Sequence, residues 1–274
     1  MHKCLIFLFC LFASSNLSAQ EPLNKADAPD NSYVEREEKQ FQFYPGGKMQ
    51  IVSEVPGFIR IIGWKKGTVR VQSVKTVNGL SPEAARQEIE KHPLRVRWNQ
   101  TSARIEVEGT PSETVSMEYS LTVYVPGDKT DISASIIRGD IYAEKVNGWV
   151  EITSGRGNLG ASSMSGYFSG STGQGNIRAD MSGKRWRGLE FGAITREGSI
   201  DLQLPEEYSA ALKLETLDGK VIVEYPPRII DGEPVPLAVG IRKKAQALDA
   251  LVGAGGSPVK LVSHAGDIRL SLKE

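Results

Sequence analysis

The chain has 274 residues, and its 33 Lys plus Arg balance 33 Asp plus Glu that are interspersed with them, which argues against a nucleic-acid binder or a polybasic membrane binder. Twenty-eight glycines with only 7% aromatic residues suit an all-β protein with many tight turns. Both cysteines, Cys4 and Cys10, lie at the N-terminal end, so removal of that segment leaves no thiol, disulfide or cysteine-based metal site.

Met1-His2-Lys3 is a short basic start, Cys4 to Ala13 is an apolar run, and Leu17-Ser18-Ala19 supplies small residues before the chain turns polar. This is the layout of a signal peptide, residues 1–19, too short to span a bilayer and cut after Ala19. Phe7-Leu8-Phe9 does not fit the approach to a lipid-attachment Cys10. The expected product is exported, periplasmic or at the cell surface, with no transmembrane anchor after cleavage. Residues 20–39 are polar and contain proline, which predicts a disordered leader, and 40–274 are read as one domain.

From Gln40, "FQFYPGGKMQIVSEVPGFIRIIGW" and "TVRVQSVKTV" alternate apolar and polar residues around Pro-Gly turns and read as strands. One helix follows: Ser81 is a good N-cap, Pro82 fits the first helical position, and the pattern runs to about His92 before Pro93. "LRVRWN", "ARIEVEG" and "SMEYSLTVYVPG" return to strand periodicity, and antiparallel pairing is expected in this N-terminal part.

A repeat begins at Gly139. Gly139, Gly148, Gly157, Gly166 and Gly175 recur every nine residues, and Ile141, Val150, Leu159, Phe168 and Ile177 follow each by two. Five apolar residues of five, in a chain that is 40% apolar, is a chance of about one in a hundred. Ala143, Ala161 and Ala179 match in alternate pieces, and Trp149 matches Tyr167, so the true period is eighteen. Two strand types alternating in this way predict an all-β, β-helix-like solenoid of about 18 residues per coil, with glycine at the corners. "GLEFGAITREGSIDLQLP", "AALKLETLDGKVIVEYPP" and "PVKLVSHAGDIRLSLKE" continue it less regularly. Residues 226–257 read as a Pro/Gly-rich insertion in which "KKAQALDALVG" suggests a short helix, a cap for the open end.

The segment "FYPGGKMQIVSEVPGFIRIIGWKKGTVRVQSVK" and the phrases Val125-Pro126-Gly127, Gly139-Asp140-Ile141, Gly175-Asn176-Ile177, Gly198-Ser199-Ile200 and Gly266-Asp267-Ile268 resemble, over residues 40–225 and 259–272, the bacterial putative adhesin domain family of unknown function, which is similar to auto-transporter-adhesin-head-like exported proteins. The resemblance implies a β-helix-like exported domain, often encoded near envelope-stress or anti-sigma components, with no catalytic residues to carry over. The 226–257 insertion departs from a minimal member.

Little chemistry is legible. His92 reads as the helix end and His264 as a solvent-facing strand residue, neither with a partner at ligand spacing. The turns Ser154-Gly155-Arg156-Gly157 and Thr172-Gly173-Gln174-Gly175 lack the aspartates of calcium-binding β-rolls, so neither metal nor other cofactor is expected. Asp140, Glu144, Asp180 and Arg178 form the one cluster from which a carbohydrate-active β-helix enzyme could be built; the plainer reading is cross-strand charge pairs on a solvated face. The binding clue is aromatic. With Val150 and Phe168 inward, Trp149 and Tyr167 point outward on neighbouring rungs, and Arg185 falls at the next step of eighteen, beside Trp186. These four are the candidate ligand-binding residues, the alternative being a ladder that stabilises the stack. The expected function is a non-enzymatic envelope binding or scaffolding protein whose partner is a polymer or protein, with a periplasmic module in envelope-stress signalling as a further alternative.

Overall fold

The computed structural model describes residues 32–225, 230–236 and 244–273. The expected signal peptide, and the leader up to residue 31, lie outside the described residues. In chain order the elements are β1 (Ser32–Gln42), β2 (Lys48–Ser53), β3 (Gly57–Trp64), β4 (Thr68–Asn78), α1 (Pro82–Lys91), β5 (Leu94–Trp98), β6 (Ser102–Val107), β7 (Ser116–Pro126) and β8 (Asp131–Glu144). They continue with β9 (Asn147–Arg156), β10 (Leu159–Ser162), β11 (Ser165–Gln174), β12 (Ile177–Asp180), β13 (Gly188–Glu197), β14 (Ile200–Leu204), β15 (Ala210–Thr216) and β16 (Val221–Glu224). Last come β17 (Ile230–Asp231), β18 (Val235–Pro236), β19 (Gln246–Val252), β20 (Pro258–Ala265) and β21 (Ile268–Leu272). The protein is all-β apart from α1 among the described residues. The Ser81 hydroxyl caps α1 by accepting the Ala84 N–H at 3.3 Å, and His92 ends it.

Two ladders carry the strands, joined through the long β8. Neighbours in the first run β1-β4-β7-β3-β8-β10-β12-β14-β21-β16. In the second they run β5-β6-β2-β8-β9-β11-β13-β20-β15-β19, with β17 and β18 beyond β19. Pairing is parallel from β7 to β16 in the first and from β6 to β15 in the second. The antiparallel arrangement expected for the N-terminal part is therefore confined to β1–β4–β7 and β5–β6. β2 and β3 pair in parallel because they cross from second ladder to first in the same sense as β6–β7 and β8.

Space does not follow sequence at either end. β2–β3 lies between β6–β7 and β8, and β20–β21 lies between β13–β14 and β15–β16.

The parallel register aligns like with like. Ile141, Leu159 and Ile177 are partners at steps of eighteen, as are Trp149 and Tyr167, and the Asp140–Asn158 and Asn158–Asn176 bonds span the same interval. One buried column of the first ladder reads Leu121, Ile59, Ile141, Leu159, Ile177, Ile200, Ile268 and Val221. Facing it, the second ladder stacks Ile132, Val150, Phe168, Phe191, Val259 and Leu212, with the two Phe rings 4.6 Å apart. Each such side chain contributes about 1.5–3 kcal/mol on burial.

Backbones approach closely at one corner: a Cβ on Gly157, at φ +152°, would lie 2.0 Å from the Gly139 carbonyl oxygen. The residue three positions before each corner glycine carries an inward hydroxyl in five rungs. Ser154, Thr172, Thr195, Ser263 and Thr216 donate to the carbonyls of Gly139, Gly157, Gly175, Gly198 and Gly266, each on the neighbouring rung, at 2.7–2.9 Å.

Two expectations are corrected. Residues 32–39 are not part of a disordered leader: they form β1, paired along its length with β4, because Glu35 and Glu37 meet Lys75 at 2.7 and 3.6 Å while Phe41 anchors the end. Their charge also blunts an edge strand. The segment "KKAQALDALVG" is not a helix where described. Leu248, Ala250 and Val252 alternate inward as β19, and the open edge of β15 supplies backbone partners that override the helix propensity of Ala and Leu. No helix among the described residues is long and apolar enough to cross a membrane.

Candidate ligand-binding face

The outer face of the second ladder holds the exposed aromatics. Parallel, in-register pairing of β9 with β11 puts Trp149 beside Tyr167, and their rings stack with centroids 3.9 Å apart and planes 25° apart. Trp149 is 44% exposed. Its indole N–H donates to Glu151 Oε1 at 2.7 Å and its backbone N–H to Asp131 Oδ1 at 3.3 Å, which fixes the ring.

On the other side of Trp149 from Tyr167 the face is hollow. An open groove of about 380 Å³ is lined by Lys48, Asp131, Ser133, Trp149 and Glu151, with Met49 and Ile132 beneath. Its origin is the register: β8 presents only Asp131 and Ser133 between Lys48 on β2 and the large ring on β9. Two strand spacings, roughly 9.6 Å, separate the walls. A flat ring fits against the Trp149 face, with carboxylates, a hydroxyl and an ammonium around its rim. Asp131, Glu151 and Lys48 had no distinguishing signal in sequence; only the inter-rung register brings them to Trp149.

Arg185 and Trp186 are not in this face. The step between paired strands is longer here: Phe168 pairs with Phe191, and the corresponding Asn176–Ser199 bond spans 23 residues where the preceding one spans eighteen. The five extra residues fall within the 181–187 connection, and Tyr167 meets Glu190, which pairs with Lys260 at 2.7 Å. Trp186 turns inward to 3% exposure, edge-on to Phe191 at 5.3 Å, with its indole N–H donating to the Gly166 carbonyl at 3.2 Å. Arg185 is exposed beside Ser209. The described part of the 226–257 segment pairs at β15, three strands beyond β11, and leaves the aromatic stack open.

The charged cluster sits on the outer face of the first ladder, and each of its members is engaged, Arg178 with Asp180 and the others with neighbours outside the cluster. Glu144 accepts from Arg60 at 3.0 Å, Arg178 lies 3.6 Å from Asp180 and donates to Gln203 at 3.1 Å, and Asp140 accepts the Asn158 N–H at 2.7 Å. The Tyr142 hydroxyl is pushed up by burial, with the Asp180 and Glu144 charges adding to it. Asp140 continues as a corner ladder: Asn158 accepts from the Asn176 N–H and Asn176 from the Ser199 N–H. These carboxylates cap backbone and pair cations, as cross-strand partners do. Among the described residues no group of three His, Asp or Glu is placed to hold a metal. His264 is exposed on β20, whereas His92 is buried, its ring 3.1 Å from the Glu108 carbonyl and 3.5 Å from Glu88.

No family model matches the chain, and no curated protein matches it. Several solved structures are similar. A "putative cell adhesion protein" from Clostridium sporogenes is 12% identical, covering 87% of this chain and 100% of its own, with a TM-score of 0.45. A "putative lipid binding protein" from Parabacteroides distasonis is 12% identical over 86% of this chain and 96% of its own, at 0.27. A "putative adhesin" from Bacteroides fragilis is 10% identical over 87% of this chain and 97% of its own, at 0.26. The structural neighbours of this chain thus include bacterial proteins described as adhesins.

Proposed function

We propose that this protein is an exported, non-enzymatic binding module of the bacterial envelope, periplasmic or at the cell surface, and that the Trp149 groove holds a ring of an envelope saccharide. We read its scaffold as a β-solenoid of about 18 residues per coil, lengthened at residues 181–187. One observation carries the reading: an exposed tryptophan, held by Glu151 and backed by Tyr167, forms one wall of an open groove with Met49 and Ile132 beneath and hydrogen-bonding groups around its rim. The apolar face of a sugar packs on such a ring while its hydroxyls reach Asp131, Glu151, Ser133 and Lys48. The engaged state of Asp140, Glu144, Asp180 and Arg178 favours binding over turnover.

The test is titration of the mature protein against a glycan panel and isolated envelope fractions, with Trp149→Ala and the Trp149→Ala/Tyr167→Ala double variant alongside. Saturable binding lost in the variants, with the β-type circular dichroism retained, is the expected result. Absence of saturable binding to any glycan or fraction sinks the reading.

A further inference from the structure

A second concavity, of about 320 Å³, opens at the corner where β3, β7, β8 and β10 end. Three cations reach it, Lys65, Lys145 and Arg187, against one carboxylate in its lining, Asp128. Neither Lys65 nor Arg187 has an ion pair among the described residues; Lys145 has Glu144 at 3.7 Å, on a carboxylate already bonded to Arg60. Ser163, Ser165 and Asn147 add neutral donors.

Two features mark this corner as built for side chains. The non-glycine residues with positive φ among the described residues are Lys129, Lys145 and Ser163, at +58°, +58° and +53°; Lys145 and Ser163 line the groove and Lys129 follows Asp128. At the opposite corner Gly139, Gly157, Gly175, Gly198 and Gly266 take φ of +138° to +152°, a different region that is kept for glycine. Here a side chain is present in spite of the strain, an arrangement that gathers at binding sites. Second, the long coil delivers Arg187. The buried Trp186 pins the 181–187 connection through its bond to Gly166, and the Arg187 carbonyl accepts the Gly166 N–H at 2.8 Å, which sets the Arg187 side chain at the groove.

We infer that this corner groove binds the phosphoryl group of a phosphorylated saccharide. The guanidinium fork of Arg187 addresses two phosphoryl oxygens, and Lys65 and Lys145 neutralise the remaining charge. The groove is of the size of a small-ligand site, and Asn147 lies two residues from Trp149 on β9, about 7 Å along the strand. The inference takes only the saccharide from the proposed function; the phosphoryl site stands on its own residues.

Calorimetric titration at low ionic strength tests it, with inorganic phosphate, glucose 6-phosphate, glucose, and phosphatidylglycerol vesicles as probes. Glucose 6-phosphate should bind more tightly than inorganic phosphate. Arg187→Ala should weaken both about tenfold. Lys145→Gly should weaken them as well while melting no lower than the parent, since it relieves the strained φ. Trp149→Ala should keep its affinity for inorganic phosphate and lose only what the sugar adds. Phosphate binding that disappears with Trp149 overturns the inference, as does the absence of heat with both phosphates or unchanged affinity in Arg187→Ala and Lys145→Gly. Binding to vesicles without binding to glucose 6-phosphate assigns the cations to a membrane surface and overturns it too. Loss of glucose binding in Trp149→Ala reports on the other groove alone.

Discussion

Replacing Thr195 by valine removes one hydroxyl from the inward ladder and almost nothing else. The side chain is fully buried, its Oγ1 donates to the Gly175 carbonyl at 2.9 Å, and valine has nearly the same volume and the same branching at Cβ. No cavity opens and strand propensity is kept. What is lost is a buried hydrogen bond, worth about 1 kcal/mol net, together with some desolvation of the carbonyl left behind, so a loss of about 1–2 kcal/mol is expected. For a domain of this size that lowers Tm by about 2–8 °C. Equilibrium urea unfolding should show a lower midpoint at unchanged slope. Thr153→Val, on the exposed face of the same ladder, is the control and should stay within about 0.5 kcal/mol of the parent. A Thr195→Val protein that unfolds at or above the parent midpoint would refute the claim that the hydroxyl column holds adjacent rungs together.

Gly157→Ala should be among the most damaging single substitutions, at about 3 kcal/mol or more, because its Cβ would stand 2.0 Å from the Gly139 oxygen at a φ of +152°; thermal denaturation or loss of soluble protein reads this out. Trp186→Ala should cost about 3–5 kcal/mol, as a buried tryptophan does, and a calorimetric melt checks it. Lys75 faces inward. Burial alone would lower its pKa, but its bond to Glu35, with the charges of Tyr119 and Glu35, raises it above 10.5, and burial pushes the Tyr119 hydroxyl up to about 12. Both groups hold their protons more tightly folded than unfolded, so their contribution is whole below the unfolded values and fades as pH rises through the folded ones. A Tm series in the alkaline range should therefore fall as pH climbs from about 10 toward 12, and Tyr119→Phe, which removes both that hydroxyl and its contribution to raising Lys75, should flatten it.

Residue pattern alone reached the stacking partners where the step was constant. Ile141, Leu159 and Ile177, and Trp149 over Tyr167, follow from a period because parallel strands paired at a constant step bring equal positions together. The same arithmetic misplaced Arg185 and Trp186, since a five-residue excess moves every later side chain off the step and nothing local announces where the excess folds out. Alternation identified the strands 258–265 and 268–272 without naming their neighbours, because period two records which face is buried and not which edge is adjacent. The hydroxyl column was legible in principle, as Ser or Thr three residues before a corner glycine in Ser154, Thr172, Thr195, Thr216 and Ser263. It does not stand out, because a buried hydroxyl in a glycine-rich stretch looks like turn composition. The β1 strand was hidden by its charge, which serves its place at an edge.

The placement of β20 and β21 bears on how the stack is closed. The last strands of the ladders to be synthesised fill a gap in the interior of the stack, between strands made earlier, so β13 and β15 have no common neighbour until residues 258–272 arrive. A nascent chain ending before that point would hold two facing rows of unpaired backbone groups one strand apart. A product interrupted before residue 258 is thus left with a sticky slit at its centre, where proteases and chaperones have access, and the arrival of residues 258–272 seals it from within.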